Sequence, residues 1–268
     1  MNILEEIRRE FGNDIERVEH LLRLIKGFRE FGASTLPSAI SDRSVSWPEA
    51  LSLVNSSQDH RTDLPILSGS LLLYLVGRFE YFIRQIIQVT ADEIAEKTSK
   101  YLDLPSTLRK DLKRLSLDVA QNPARYGFDE NQADAILANL VDNLRGSGTS
   151  LTINSLVLSI TETNMKERTL ADLMKRVGMN EFWRDVGKQA QIKIHLEKKD
   201  DNEAMVEAQA RLNAIMNERN QIAHPTSATH FPDPDQVLAK VGFLRVLSHV
   251  AVEIVQVHLA SFRNSTGS

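Results

Sequence analysis

The sequence predicts an all-α protein, a bundle of helices, on three stretches of periodic apolar residues. Ile3, Ile7, Phe11, Ile15, Val18, Leu22 and Ile25 recur at steps of three and four residues, which stacks side chains on one face of a helix. Leu64 to Thr98 continues a helical pattern that is apolar on most sides before it turns amphipathic. Near the other end, Val237, Val241, Leu244, Leu247, Val250, Ile254 and Val257 form another long stripe.

Taken in order, the first helix is expected to run to about Arg29. Gly32, Pro37, Ser38, Ser41, Ser44 and Pro48 then interrupt the pattern, with Trp47 as the large anchor of a loop-like stretch. A short helix from Pro48 to about Asn55 follows. The helix from Leu64 or Pro65 to about Thr98 is expected at the centre of the core. Its Gly69 and Gly77 are expected to admit another helix closely, at about 1 kcal/mol each relative to alanine. Pro105 to Gln121 and Asp129 to Arg145 carry two more helices, one opened by proline and one by an acidic turn.

From Gly146 to Asn164 the pattern weakens. Ser147 to Ser150 reads as a flexible connection, and Leu151 to Thr161 as either an extended stretch or a short helix. A helix from Thr169 to Val177 is closed by Gly178, and Asn180 is placed to cap the next, from Glu181 to about Leu196. The charged break at Lys198 to Asp201 precedes a helix from Asn202 to about Ala223, which Pro225 closes. The last helix is expected from Asp235 to about Phe262, and the polar tail from Asn264 to Ser268 is expected to fray. There is no internal repeat. The whole reads as one domain over residues 1–268, with 105–164 as an inserted helical segment or subdomain.

Composition narrows the function classes. With 42% hydrophobic and 25% charged residues, the 268-residue chain has an ordinary globular make-up. The absence of cysteine removes disulfides, thiolate zinc sites and cysteine nucleophiles at once, and fits a reducing compartment, with the cytoplasm as the default. Met1 to Glu10 lacks the apolar core of a secretory signal. The longest apolar run, Leu71 to Val76, falls short of the roughly 20 residues that span a bilayer, so no membrane partner is expected. A net charge of −4 argues against general nucleic-acid binding, so any RNA site would have to be local.

One segment can carry chemistry: Arg219-Asn220-Gln221-Ile222-Ala223-His224. Asn220 and His224 stand one turn apart on a helical face, and the long arm of Arg219 reaches toward that side. Pro225 disfavours helical geometry at His224, which places the imidazole where the helix gives way to a loop. A guanidinium that grips phosphate beside an imidazole that exchanges protons near neutral pH is a minimal apparatus for cleaving RNA, and it needs no metal or other cofactor. By itself an arginine and a histidine at this spacing are also what a surface ion pair and a helix C-cap would leave.

The surroundings add to the motif. The upstream helix contains GRFEYFIRQII, the motif helix reads ARLNAIMNERNQIAHP, and a long amphipathic helix follows. On these residues the chain resembles the HEPN family of helical bundles, whose signature is an arginine, a polar residue and a histidine four to six positions on. LADLMKRVGMNEFWRDV resembles a leader found before the motif helix in the branch associated with RiboL-PSP. The resemblance covers about half the chain. It implies a HEPN-like bundle and a metal-independent endoribonuclease working as a homodimer, with two motif helices lining one cleft. In that reading His224 transfers protons, Arg219 stabilises charge on phosphate, and Asn220 orients one or both. Glu80 would be a supporting acid, or equally an exposed glutamate balancing Arg78 or Arg84.

The implied role is that of a toxin or antiviral defence effector, with RNA as substrate and an antitoxin or regulatory partner. Two departures stand out: proline follows His224, and 105–164 exceeds a minimal bundle. Arg109, Lys110, Lys113 and Arg114 there, and Lys175 with Arg176, are small basic patches that could meet RNA or be solvated helix faces. The alternative function is a noncatalytic helical module that binds RNA or protein. His195, His249 and His258 are not spaced as a metal site.

Overall fold

The computed structural model describes residues 3–33, 48–146 and 151–266. The loop-like stretch anchored by Trp47, the connection at Ser147 to Ser150 and the last residues of the tail lie outside the described residues. Among the described residues the chain forms eleven α-helices and no strand, an all-α fold. They are α1 (Ile3–Ala33), α2 (Pro48–Asp59), α3 (Leu64–Glu96), α4 (Ser106–Gln121), α5 (Glu130–Arg145), α6 (Ser155–Leu158), α7 (Glu167–Arg176), α8 (Phe182–Lys188), α9 (Ala190–Leu196), α10 (Asp201–Ala223) and α11 (Pro234–Thr266). The chain divides into two compact units. One comprises Met1–Phe11, Phe79–Met216 and Val246–Ser268, the other Gly12–Arg78 and Asn217–Arg245.

In the first unit the core is built on the second half of α3. Phe79, Phe82, Ile83, Ile86, Ile87, Ala91 and Ile94 are buried along it. Phe82 stacks on Phe11 with ring centroids 4.9 Å apart, and Phe79 meets the same ring at 5.9 Å. Offset rings of this kind add to what burial of their area contributes. Helix α4 packs against both α5 and α6. Asp129 caps α5 in a reciprocal capping box with Gln132, satisfying two orphan amides at the helix start.

The stretch from Leu151 to Thr161, expected as extended or a short helix, resolves as irregular backbone leading into the short helix α6. Asparagine amides hold it: Asn143 Nδ2 donates to the Thr152 carbonyl at 2.8 Å, and Asn154 Nδ2 to the Ile136 carbonyl at 3.2 Å. Arg176 then donates through Nη1 to the carbonyls of Leu158 and Ile160 at 2.7 and 2.8 Å.

The expected helix from Glu181 to Leu196 is two helices. Gln189 between them is extended, at φ −72 and ψ 127. The break falls beside a close approach: a Cβ at Gly187 would overlap the Asp201 carbonyl oxygen, so only glycine fits where α8 passes the start of α10. Glu181, not Asn180, occupies the N-cap of α8, with no side-chain cap. At the other end α11 runs to Thr266, past the expected stop near Phe262.

In the second unit α2 lies close on α1. A Cβ at Gly32 would sit 2.6 Å from the Ser57 carbonyl oxygen, and Ser57 Oγ donates to the Phe28 carbonyl at 3.4 Å. Ion pairs join α1 to the start of α11: Lys26 reaches Asp235 at 2.8 Å, and Arg29 reaches Asp233 at 3.2 Å. The close approach expected at Gly69 is made by Phe231 and Ile222, 2.7 and 3.4 Å from the Cβ it lacks. The one expected at Gly77 is not made: nothing lies within 4 Å of a Cβ there.

By length and composition α3 could cross a bilayer, with a mean hydropathy of 1.4 over its most apolar window. Its Leu72, Leu75, Val76, Phe79 and Phe82 are buried in protein.

Candidate active site

Helix α10 begins with a proper cap. Asp200 Oδ1 accepts the amides of Asn202 and Glu203 at 2.9 and 3.0 Å, and Asp201 and Glu203 put negative charge at the positive helix end. Ala204, Ala208, Leu212, Ile215 and Met216 bury one face of it. At the far end Ile222 is buried against α3 beside Gly69. That anchor fixes the rotation of the last turn, and with it the directions of its neighbours.

On this turn Arg219 and Asn220 are half-buried, while Gln221 and His224 are exposed. Arg219 Nη1 donates to Asn220 Oδ1 at 3.2 Å. The His224 amide donates to the Asn220 carbonyl at 3.1 Å, so the last hydrogen bond of the helix ends on the histidine. Beyond it Pro225 cannot continue the ladder. Thr229 Oγ1 accepts the Thr226 amide at 2.8 Å, closing a short turn. Glu218 on the same helix pairs with Lys240 at 2.9 Å. The arrangement presents an imidazole at an exposed helix end, one turn from a guanidinium held by an amide oxygen.

Glu80 is half-buried, and its Oε1 accepts the Met165 amide at 3.4 Å. Of the two arginines considered for it, Arg78 pairs with Asp14 and Arg84 donates to Thr161 Oγ1 at 3.0 Å. Glu80 belongs to the first unit and the motif residues to the second.

The basic patches are partly spent on structure. Arg109 donates to the Leu102 carbonyl, Arg114 pairs with Asp111 and Asp118 at 3.3 and 3.6 Å, and Arg176 turns inward onto two carbonyls. Burial lowers the Arg176 pKa. Lys110, Lys113 and Lys175 are exposed.

His249 and His258 have structural surroundings. His249 lies 2.5 Å from Arg8 and 3.1 Å from Glu253. His258 Nε2 meets the Val177 carbonyl at 3.0 Å. Among the described residues no three histidine or carboxylate side chains gather as metal ligands would.

Sequence reasoning missed a polar cluster in the second unit. Asp14 is 2% exposed. It accepts from Tyr74 Oη at 2.8 Å, from Arg17 at 3.3 Å, and from Arg78 Nε. A buried carboxylate persists only when paired and hydrogen-bonded. The signal was present: Asp14 interrupts the apolar stripe of α1, between Phe11 and Val18, on the face that faces inward.

The family model described as RiboL-PSP-HEPN matches residues 46–256. Searches of curated proteins and of solved structures return no match.

Proposed function

Because the chain belongs to the RiboL-PSP-HEPN family, we propose that it is an endoribonuclease that cleaves RNA without a metal ion, through a homodimer that joins two copies of the Arg219 to His224 turn. The observation that carries this reading is the exposed imidazole of His224, one helical turn beyond the Arg219–Asn220 hydrogen bond. In the dimer one imidazole takes the proton of a ribose 2′-hydroxyl as its oxygen attacks the adjacent phosphorus. The bond from phosphorus to the 5′ oxygen breaks, and the imidazolium of the second copy protonates that oxygen. The products are a 2′,3′-cyclic phosphate and a 5′-hydroxyl. Arg219 bears the charge that develops on the phosphoryl oxygens, a role suited to its planar fork of donors. Asn220, bonded to Arg219, sets the angle of that fork.

Such an activity suits a toxin or antiviral defence effector, held in check by an antitoxin or regulatory partner. The test is incubation of purified, partner-free protein with total RNA in excess chelator, with the cleaved ends mapped. Cyclic phosphate ends that vanish in folded Arg219→Ala and His224→Ala variants are expected. Variants that cut as well as the parent overturn the proposal, and a parent that binds RNA without cutting it assigns the chain to the noncatalytic reading.

A further inference from the structure

The first unit holds an open groove of about 890 Å³, far along the sequence from the motif turn and lined by α3, the turn at Pro123–Tyr126 and the stretch around α6. Its walls combine three aromatic rings, Tyr81, Tyr126 and Phe128, with two guanidinium groups, Arg84 and Arg125. Tyr81 is 46% exposed, and Arg125 lies 5.5 Å from the centroid of the Tyr126 ring. We infer that this groove binds single-stranded RNA, with unstacked bases on its rings and phosphates at its arginines. The inference rests on the RNA-cleaving reading and names where that substrate is held.

The chemistry discriminates among ligands. Aromatic faces beside cations, along an open channel, match a chain of bases and phosphates, because every base offers a π-face and every linkage a charge. A duplex keeps its bases stacked on one another and cannot present those faces. Arg84 is steadied by a neutral partner, the Thr161 hydroxyl, so that contact leaves its charge available to phosphate. Arg125 pairs with Glu162 at 2.9 Å, and Tyr126 Oη donates to the same carboxylate at 3.2 Å. Glu162 therefore orients the stacked pair and also repels a polyanion.

The groove is built before any ligand arrives. Gln88 Nε2 donates to Ser159 Oγ at 2.8 Å, Arg176 ties down the Leu158 and Ile160 carbonyls, and Gly127 turns the chain at φ 78, a conformation that favours glycine. A preformed wall lowers the ordering cost of binding. The segment 105–164, longer than a minimal bundle requires, supplies most of this surface.

The test uses the whole chain with His224→Ala, which blocks cleavage, and a fluorescent single-stranded RNA of 12 nucleotides read by anisotropy. Tyr81→Ala and Arg84→Ala in that background are expected to raise Kd about tenfold each, the scale of one lost stack or phosphate contact. Glu162→Gln is expected to tighten binding, and a duplex of the same sequence to compete poorly. Circular dichroism establishes that each variant is folded. Independently, the unsubstituted groove is cross-linked to RNA carrying 4-thiouridine, and adducts are expected on peptides spanning 81–88 and 125–128.

Folded groove variants that bind like the parent, or adducts confined to other peptides, overturn the inference. The two proposals fail separately. Adducts in the groove of a protein that never cuts RNA would end the nuclease reading alone, while chelator-resistant cleavage with unchanged binding in the groove variants would end this one alone.

Discussion

Arg219 Nη1 donates to the side-chain oxygen of its own neighbour, Asn220, at 3.2 Å. Adjacent residues on a helix point about 100° apart, so the contact draws the guanidinium back toward the side that carries His224. If Asn220 positions rather than reacts, Asn220→Ala should lower cleavage about tenfold, the value of one positioning hydrogen bond at about 1.4 kcal/mol. The pH profile should keep its shape, because the groups that exchange protons remain. Arg219→Lys should lose more, since an ammonium keeps the charge but not the fork. A shifted pH profile in Asn220→Ala would assign the amide a different role.

Asp14 tests the second unit. Removing it leaves Arg78 and Tyr74 without the acceptor they share, and orphaned groups of this kind cost more than the intact pair contributes. Asp14→Ala should lower the free energy of unfolding by about 3 kcal/mol, measured by urea denaturation. A loss below about 1 kcal/mol would show that solvent replaces the carboxylate.

Two glycines should respond with opposite sign. Gly77→Ala meets nothing within 4 Å and should stabilise by roughly 0.5–1 kcal/mol, through helix propensity alone. Gly187→Ala forces a Cβ onto the Asp201 carbonyl, with the Met205 Cβ at 2.9 Å. It should destabilise by about 3 kcal/mol, because backbone yields less readily than a side chain. Thermal melts of the two variants shifting in the same direction would contradict the packing described here.

Stability should fall in acid before carboxylates titrate. Burial lowers the pKa of His195 and His258 below the ordinary 6.5; Arg211 adds to the effect at His195, and the Val177 carbonyl opposes it at His258. The unfolded chain therefore takes up these protons first as pH falls below 6.5, so the stability present above that value is lost as pH drops toward the folded-state values. Glu5, lowered from 4.5 chiefly by the Gln256 hydrogen bond, adds its loss only below that value. Unfolding free energies at pH 7.5 and 5.5 should differ in the parent and converge in a His195→Gln, His258→Gln double variant. Equal stability of the parent at both pH values would refute the assignment.

Helix boundaries were legible wherever their causes are local. Leu64, Arg145 and Ala223 are ends that proline, glycine or periodicity announces within a few residues, and the capping box at Asp129 follows the same logic. The motif helix was legible too, because Asn220 and His224 owe their relation to helical pitch alone. Gly187 shows the limit: nothing near it in sequence announces the close approach of Asp201 that only a glycine admits there. Arg176 likewise reads as a basic patch with Lys175, yet its partners are carbonyls that a distant stretch presents. The groove escaped notice because Tyr81, Arg125 and Glu162 come from three separate segments.

By itself, then, the sequence determined the all-α class, most helix bounds and the turn that carries Arg219, Asn220 and His224, since periodicity and capping act over a few residues. Tertiary structure alone decided that Asp14 is buried against Tyr74 and Arg78, that α8 and α9 are separate, and that aromatic rings and arginines share a groove. Those relations join residues tens of positions apart, and only burial of apolar faces against one another brings them within hydrogen-bond reach.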